Sequence, residues 1–308
     1  MIRKNLSPRN RGLSLSEQEL ADYKPRTLKA PVDLRQIINS IICQDVFEIL
    51  PWLPAASFDL IFADPPYNLT KNFGGLNFGR QSMAGYQAWL ETWLPPLARL
   101  LKPEGAIYIC GDWRSSAALH LALDKFFVVQ NRITWEREKG RAAKRNWKNA
   151  SEDIWFATCS PDYAFYGDRV KLKRKVLAPY TDEQKKPKDW QAGEGRPYRL
   201  TAPSNLWTDI TVPFWSMPEN TSHPTQKPEK LLAKIILAST RPADVVFDPF
   251  AGVGSSAVVA RKLGRDYVGV EINPAYCALA EKRLALAATD KRIQGYEEGV
   301  FWERNSRP

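Results

Sequence analysis

Two apolar segments of this chain end alike, and they restrict its fold more than any other feature. Phe58-Asp59-Leu60-Ile61-Phe62-Ala63 runs into Asp64-Pro65-Pro66-Tyr67. Asp244-Val245-Val246-Phe247 runs into Asp248-Pro249-Phe250-Ala251-Gly252-Val253-Gly254. Short apolar runs bounded by turn residues read as strands buried on both faces. Such strands belong in a sheet covered by helices.

The texture around them agrees. Residues 38–43 read as a strand and 45–50 as one or two helical turns. Trp89, Leu90, Trp93, Leu94, Leu97 and Leu100 fall at helical spacing within 86–101, and Lys102-Pro103-Glu104-Gly105 stops that helix. Strands are predicted at 106–110, 126–135 and 153–158, with a helix at 115–125 between the first two. After Pro228 the order is helix 229–240, strand 245–247, helix 255–263, strand 267–270 and helix 274–287. This alternation predicts an α/β fold with a mostly parallel central sheet.

Five regions follow. Residues 1–36 are a polar, basic arm expected to lie on the main domain, with Ser14 capping a short helix and Glu17 closing a capping box. Residues 37–135 form one half of the core and 216–288 the other. Between them, 136–215 is an insertion in which the core alternation survives only near 153–158. Residues 289–308 are a polar tail without a usable motif.

The formal net charge is +10, and residues 136–199 carry sixteen Lys and Arg against ten Asp and Glu. Tryptophans and tyrosines are interleaved there, from Trp147 to Tyr198. Basic side chains neutralise phosphates and aromatic ones reach bases, so the insertion reads as facing nucleic acid. Arg141, Lys144, Arg145 and Lys148 are its candidate contacts. Cys43, Cys110, Cys159 and Cys277 are scattered, and only two histidines are present. No metal site is expected, and isolated thiols fit a reducing cytoplasm. No apolar run is long enough to span a membrane.

The chemistry of the two motifs differs. At the second, glycines let the backbone pass close to a ligand, and the helix opening near Ser255 offers free amides. An acid about twenty positions on, after the next strand, is expected to grip ribose hydroxyls, and Glu271 meets that spacing. The third glycine of a dinucleotide fingerprint is missing, which disfavours NAD. Asp248, Pro249, Phe250, Gly252, Gly254, Ser255 and Glu271 thus form a candidate nucleoside site. At the first motif, Asp64 offers a carboxylate and Pro65 a carbonyl to the hydrogens of an amino group on a planar ring. Pro65 and Pro66 stiffen the turn, and Tyr67 offers a face for an extruded base. Hydrogen bonds to such an amine localise its lone pair toward an incoming methyl group. Between the motifs, His223-Pro224-Thr225-Gln226-Lys227-Pro228 leads into a helix, and Lys227 is placed to bind an amino-acid carboxylate.

Taken together, residues 63–68, 223–228 and 248–255 resemble the β group of S-adenosylmethionine (SAM)-dependent DNA amino-methyltransferases, over roughly 38–286. The resemblance implies a Rossmann-like methyltransferase fold with circularly permuted motifs, the catalytic half first, and a basic target-recognition insertion. It implies that Asp45 and Thr225 join the cofactor contacts. Asp as the first residue of the tetrad implies N6 of adenine in double-stranded DNA, reached by base flipping and direct in-line transfer. N4 of cytosine is the alternative; an RNA base methyltransferase or an inactive DNA-binding homologue stand further off. A cognate restriction endonuclease and a homodimer are the partners it implies. Many members carry His-Glu where this chain has Glu152-Asp153.

Overall fold

The computed structural model describes residues 9–29, 34–73, 76–137, 145–176, 180–186, 188, 190–191 and 197–304. Among these, eight strands form one sheet: β1 (Ser40–Cys43), β2 (Phe58–Ala63), β3 (Leu101–Gly111), β4 (Val128–Glu136), β5 (Ser151–Thr158), β6 (Leu206–Trp207), β7 (Val245–Asp248) and β8 (Asp266–Glu271). Their order is β1-β8-β7-β2-β3-β5-β4-β6. All neighbours are parallel except β5, which is antiparallel to β3 and β4. The α/β class and the mostly parallel sheet are as the alternation predicts.

Alternating side chains along each strand feed two cores. Leu60 and Phe62 join Ala106, Tyr108 and Val246 on one face. Ile61 and Ala63 join Ile107, Ile109 and Phe247 on the other. Each fully buried Leu, Ile or Phe adds about 1.5–3 kcal/mol. One face is covered by α2 (Val46–Ile49), α3 (Met83–Leu100) and α4 (Ser116–Leu123), the other by α5 (Glu229–Ser239), α6 (Ser255–Lys262) and α7 (Pro274–Ala287). The result is three layers.

β7 and β2 are hydrogen-bonded neighbours, with Val246 opposite Leu60 and Phe247 opposite Ile61. Asp248 and Asp64 therefore emerge at the same edge of the sheet. From β7 the sheet is built outward through β8 to β1, and from β2 through β3, so the two motifs flank the point where strand order reverses. In open α/β sheets that crevice is where ligands bind.

Three expectations need correction. The stop at 102–105 is no gap before a strand: β3 begins at Leu101, and its pairing with β2 slips between Phe58 and Leu60 so that these residues bulge. The capping box that opens α1 (Glu17–Tyr23) uses Ser16 and Glu19, two residues beyond Ser14 and Glu17. Leu13 is already bridged to Thr221, and the Ser14 carbonyl accepts a hydrogen bond from Lys282 Nζ at 2.8 Å, so the chain is still extended there. Finally, the C-terminal segment is built into the fold. Residues Val300–Trp302 pair with Leu172–Lys175 of the insertion, which pairs in turn with Tyr198–Thr201. Phe301 is fully buried, and Lys173 lies 3.9 Å and 4.1 Å from the ring centres of Tyr198 and Trp302.

Candidate active site

The tetrad leaves β2 as a braced turn. Tyr86 on α3 donates its hydroxyl hydrogen to the Pro66 carbonyl at 3.0 Å. Asn68 is buried and doubly bonded to Gln81, donating to its carbonyl at 3.0 Å and accepting from its amide at 2.7 Å. The Asn68 amide also donates to Ser115 Oγ, 3.3 Å away. These bonds fix where Pro65 and Tyr67 point. Tyr67 donates its hydroxyl hydrogen to Asp64 Oδ1 at 2.9 Å. Burial, then the Asp64 carboxylate, push the Tyr67 hydroxyl well above its ordinary pKa, so it remains a donor.

The glycine turn sits beside it. Gly252 and Gly254 have φ of +54° and +70°, conformations that favour glycine. Gly254 opens α6, and a Cβ there would meet Ala280 Cβ at 2.7 Å. The Glu271 carboxylate reaches back across the turn: it accepts from the Gly252 amide at 2.9 Å and from the Asn273 amide at 2.7 Å. Burial raises its pKa. Asp248 is buried and accepts from the Phe250 amide at 3.0 Å and from the Ser256 hydroxyl. Pro249 is buried behind it, and Phe250 meets Trp93 edge-to-face at 5.3 Å. Asp45 is the N-cap of α2, accepting from the Phe47 amide at 3.0 Å. It lies two residues past Cys43, which pairs with Glu271, so both acids share one strand-end edge.

The segment before α5 joins the motifs. His223 packs edge-to-face on Tyr276 at 4.7 Å and against Gly252. The Thr225 amide donates to His223 Nδ1 at 3.4 Å. Gln226 ties the loop by accepting from the Thr221 amide at 2.9 Å and donating to the Glu219 carbonyl at 2.6 Å. Lys227 is carried to the tetrad: its Nζ is 2.5 Å from Asp64 Oδ2 and 3.3 Å from the Tyr67 hydroxyl. Burial opposes its charge, but the Asp64 and Glu152 carboxylates outweigh burial and hold it above the usual lysine range. A cavity of about 30 Å³ touches all three segments, with Asp64, His223, Thr225, Lys227, Asp248 and Gly252 among its walls.

Of the residues expected from sequence, those of the tetrad, the 223–228 run and the glycine turn are thus brought together. Ser255 is buried beneath the turn, its hydroxyl accepting from Arg283 Nη1 at 2.8 Å. Arg145 and Lys148 are exposed and flank Trp147, which is 93% exposed. Arg141 and Lys144 lie outside the described residues. Sequence reading missed Arg283, which binds the Val253 carbonyl at 2.8 Å and Glu229 at 3.1 Å, so bracing the turn against α5. It named Glu152 only as a departure from the family pattern, whereas this acid, near the start of the buried strand β5, lies 3.6 Å from Lys227. A carboxylate within a buried strand is itself the signal, because such groups are buried only when paired.

Among the described residues there is no cluster of His, Cys, Asp and Glu placed to hold a metal, and no helix long and apolar enough to cross a membrane. A family model described as DNA methylase matches residues 58–282. The chain is 35% identical over 267 residues to DNA adenine methyltransferase YhdJ of Escherichia coli (strain K12), covering 85% of this chain and 88% of YhdJ. The cytosine-N4-specific PvuII DNA methyltransferase shares the fold at a TM-score of 0.60 and 18% identity, over 83% of this chain and 88% of that one. The M1.HpyAVI–SAM complex does so at 0.52 and 22%, over 79% and 98%. With the family match spanning most of the chain, this protein belongs to the DNA methylase family of N6-adenine and N4-cytosine amino-methyltransferases.

Proposed function

We propose that the protein transfers a methyl group to the exocyclic N6 of adenine in double-stranded DNA. The observation that carries this is the meeting of Asp64, which holds the Tyr67 hydroxyl, with the glycine turn around one crevice at the reversal of strand order. SAM fits the turn: Gly252, Val253 and Ser255 line the crevice, and the Glu271 oxygens keep lone pairs beyond those used by the backbone amides. Bound there, it supplies the methyl group. Asp64 and the Pro65 carbonyl accept hydrogen bonds from the target amine and localise its lone pair; among the described residues, no donor occupies that carbonyl. Tyr67 stacks on the extruded base. Once alkylated the nitrogen becomes acidic, so no strong base is needed beforehand.

Two things favour adenine: an aspartate opens the tetrad, and the relative YhdJ is an adenine methyltransferase. The fold shared with the cytosine-N4-specific PvuII enzyme keeps N4-cytosine as the second reading. Arg145 and Lys148 beside the exposed Trp147 form the described part of the proposed DNA-reading surface. Expression in a methylation-deficient host, followed by nucleoside analysis and long-read sequencing of its DNA, tests the reading. N6-methyladenine at a defined site is the expected result. N4-methylcytosine selects the second reading, and unmodified DNA refutes both.

A further inference from the structure

Both oxygens of Asp64 are engaged. Oδ1 takes the Tyr67 hydroxyl hydrogen and Oδ2 takes Lys227 Nζ. The Lys227 and Asp64 side chains are 5% and 16% exposed, so solvent screens the pair little. A target amine arriving at Asp64 therefore has to share or displace a donor already in place.

A second carboxylate faces the same ammonium. Glu152 Oε2 is 3.6 Å from Lys227 Nζ, and its side chain is 3% exposed. That oxygen has no hydrogen bond among the described residues, whereas Oε1 is held by Arg137. A buried carboxylate oxygen without a donor is costly. A move of less than about 1 Å would bring Nζ within charge-assisted hydrogen-bond distance of it. Arg137 follows β4 and leads into the basic segment, so the position of Glu152 is set from the root of the insertion.

The geometry points to Lys227 as a positioning residue shared between two carboxylates, with Glu152 as its second seat. When Lys227 sits on Asp64, it takes one Oδ2 lone pair, crowds the approach to the other and neutralises the charge. When Lys227 is drawn to Glu152, Oδ2 is released to accept a hydrogen of the target amine. This rests on the proposed role of Asp64.

The test is a double-mutant cycle on the full chain. Single-turnover methyl transfer is measured at saturating SAM and DNA for K227M, E152Q, the double variant and E152D, with SAM affinity from calorimetry. E152Q, which leaves Lys227 on Oδ2, and K227M, which leaves the Asp64 carboxylate without the cation that positions it, are each expected to slow transfer by about a hundredfold, the scale of an ångström's misplacement. SAM affinity stays within about threefold. The double variant is no slower than K227M, because Glu152 acts only through Lys227. E152D recovers part of the rate. Losses that multiply in the double variant overturn the proposal. So does K227M with weakened SAM binding but an intact saturated rate, which would put Lys227 on the cofactor carboxylate. Should K227M fail to fold, E152Q alone decides: full rate overturns the shared seat. D64A is run in parallel. If it turns over, the reading of the site itself fails; if it is inactive while the cycle is additive, only the role of Lys227 and Glu152 fails.

Discussion

The buried carboxyl of Asp248 at the end of β7 makes stability depend on pH in a calculable way. Burial pushes its pKa up to about 7, against the downward pull of the Ser256 hydroxyl and the Phe250 amide. In the unfolded chain an aspartate titrates near 3.9. Between about pH 4 and 7 the folded protein therefore keeps a proton that the unfolded chain has released. The stability tied to that proton is fully present below about pH 4 and is lost as pH rises through about 7. The difference corresponds to about 4 kcal/mol. D248N removes the titration and can keep the bonds: its carbonyl oxygen accepts from the Phe250 amide, and its NH₂ donates to Ser256 Oγ. Glu219, pushed up to about 7 by burial and then by Glu229, titrates in the same window. It does so in both proteins, so subtraction isolates Asp248. The expected result is a stability difference that grows in favour of D248N by up to about 1.4 kcal/mol per pH unit across the window. Urea unfolding followed by tryptophan fluorescence from about pH 4.5 to 8 measures it. A difference that stays constant over that range would refute the argument that burial keeps Asp248 protonated.

Asp64→Ala is expected to lower methyl transfer by about a hundredfold or more while SAM binding persists, as for loss of one oriented polar group; turnover within tenfold of wild type, roughly 1.4 kcal/mol, removes Asp64 from its role. Gly254→Ala forces a side chain into left-handed backbone and against Ala280, and should cost roughly 2–5 kcal/mol in denaturant unfolding. An undiminished midpoint would show that α7 gives way. Glu271→Ala should weaken SAM binding by about 1.5–3 kcal/mol, and unchanged calorimetric affinity in the folded variant would leave Glu271 as a brace for the turn alone. Arg145→Ala and Lys148→Ala should each reduce the slope of log DNA affinity against log salt by about one unit if they meet phosphates; wild-type slopes and specificity for both would move the DNA-reading surface elsewhere.

Much of the scaffold was legible because its signals are local. β2 and β7 announce themselves as short apolar runs closed by an aspartate, and α3 by the spacing of Leu90, Trp93, Leu94 and Leu97. The tetrad and the glycine turn are contiguous in sequence, so their chemistry could be read before any contact was known. What could not be read depends on distant partners. The segment Val300–Trp302 is too short to show a period, and it becomes a strand only because Leu172–Lys175 offers it an edge. The capping box moved to Ser16 because Lys282, far along the chain, holds the Ser14 carbonyl. Lys227 is the sharpest case. Nothing local to residues 223–228 shows that the fold sets it against Asp64, 163 residues away.

That long contact also explains how a permuted chain keeps one site. β2 and β7 are adjacent in the sheet, so Asp64 and Asp248 share an edge whichever comes first in sequence. Adjacency alone leaves two half-sites side by side. The segment entering α5 joins them. Glu219 accepts from the Glu229 amide at 2.7 Å at the start of the helix, and Gln226 holds the loop back on the Glu219 carbonyl. Glu229 then anchors Arg283 and Lys262, tying the helix start to α6 and α7 beneath the glycine turn. With its base fixed in this way, the loop presents His223 to Gly252 and Lys227 to Asp64, one residue for each motif. Changes in the Glu219–Glu229–Arg283 cluster should therefore disturb both halves of the site together, although of the three only Arg283 touches a motif, at the Val253 carbonyl and the Ser255 hydroxyl.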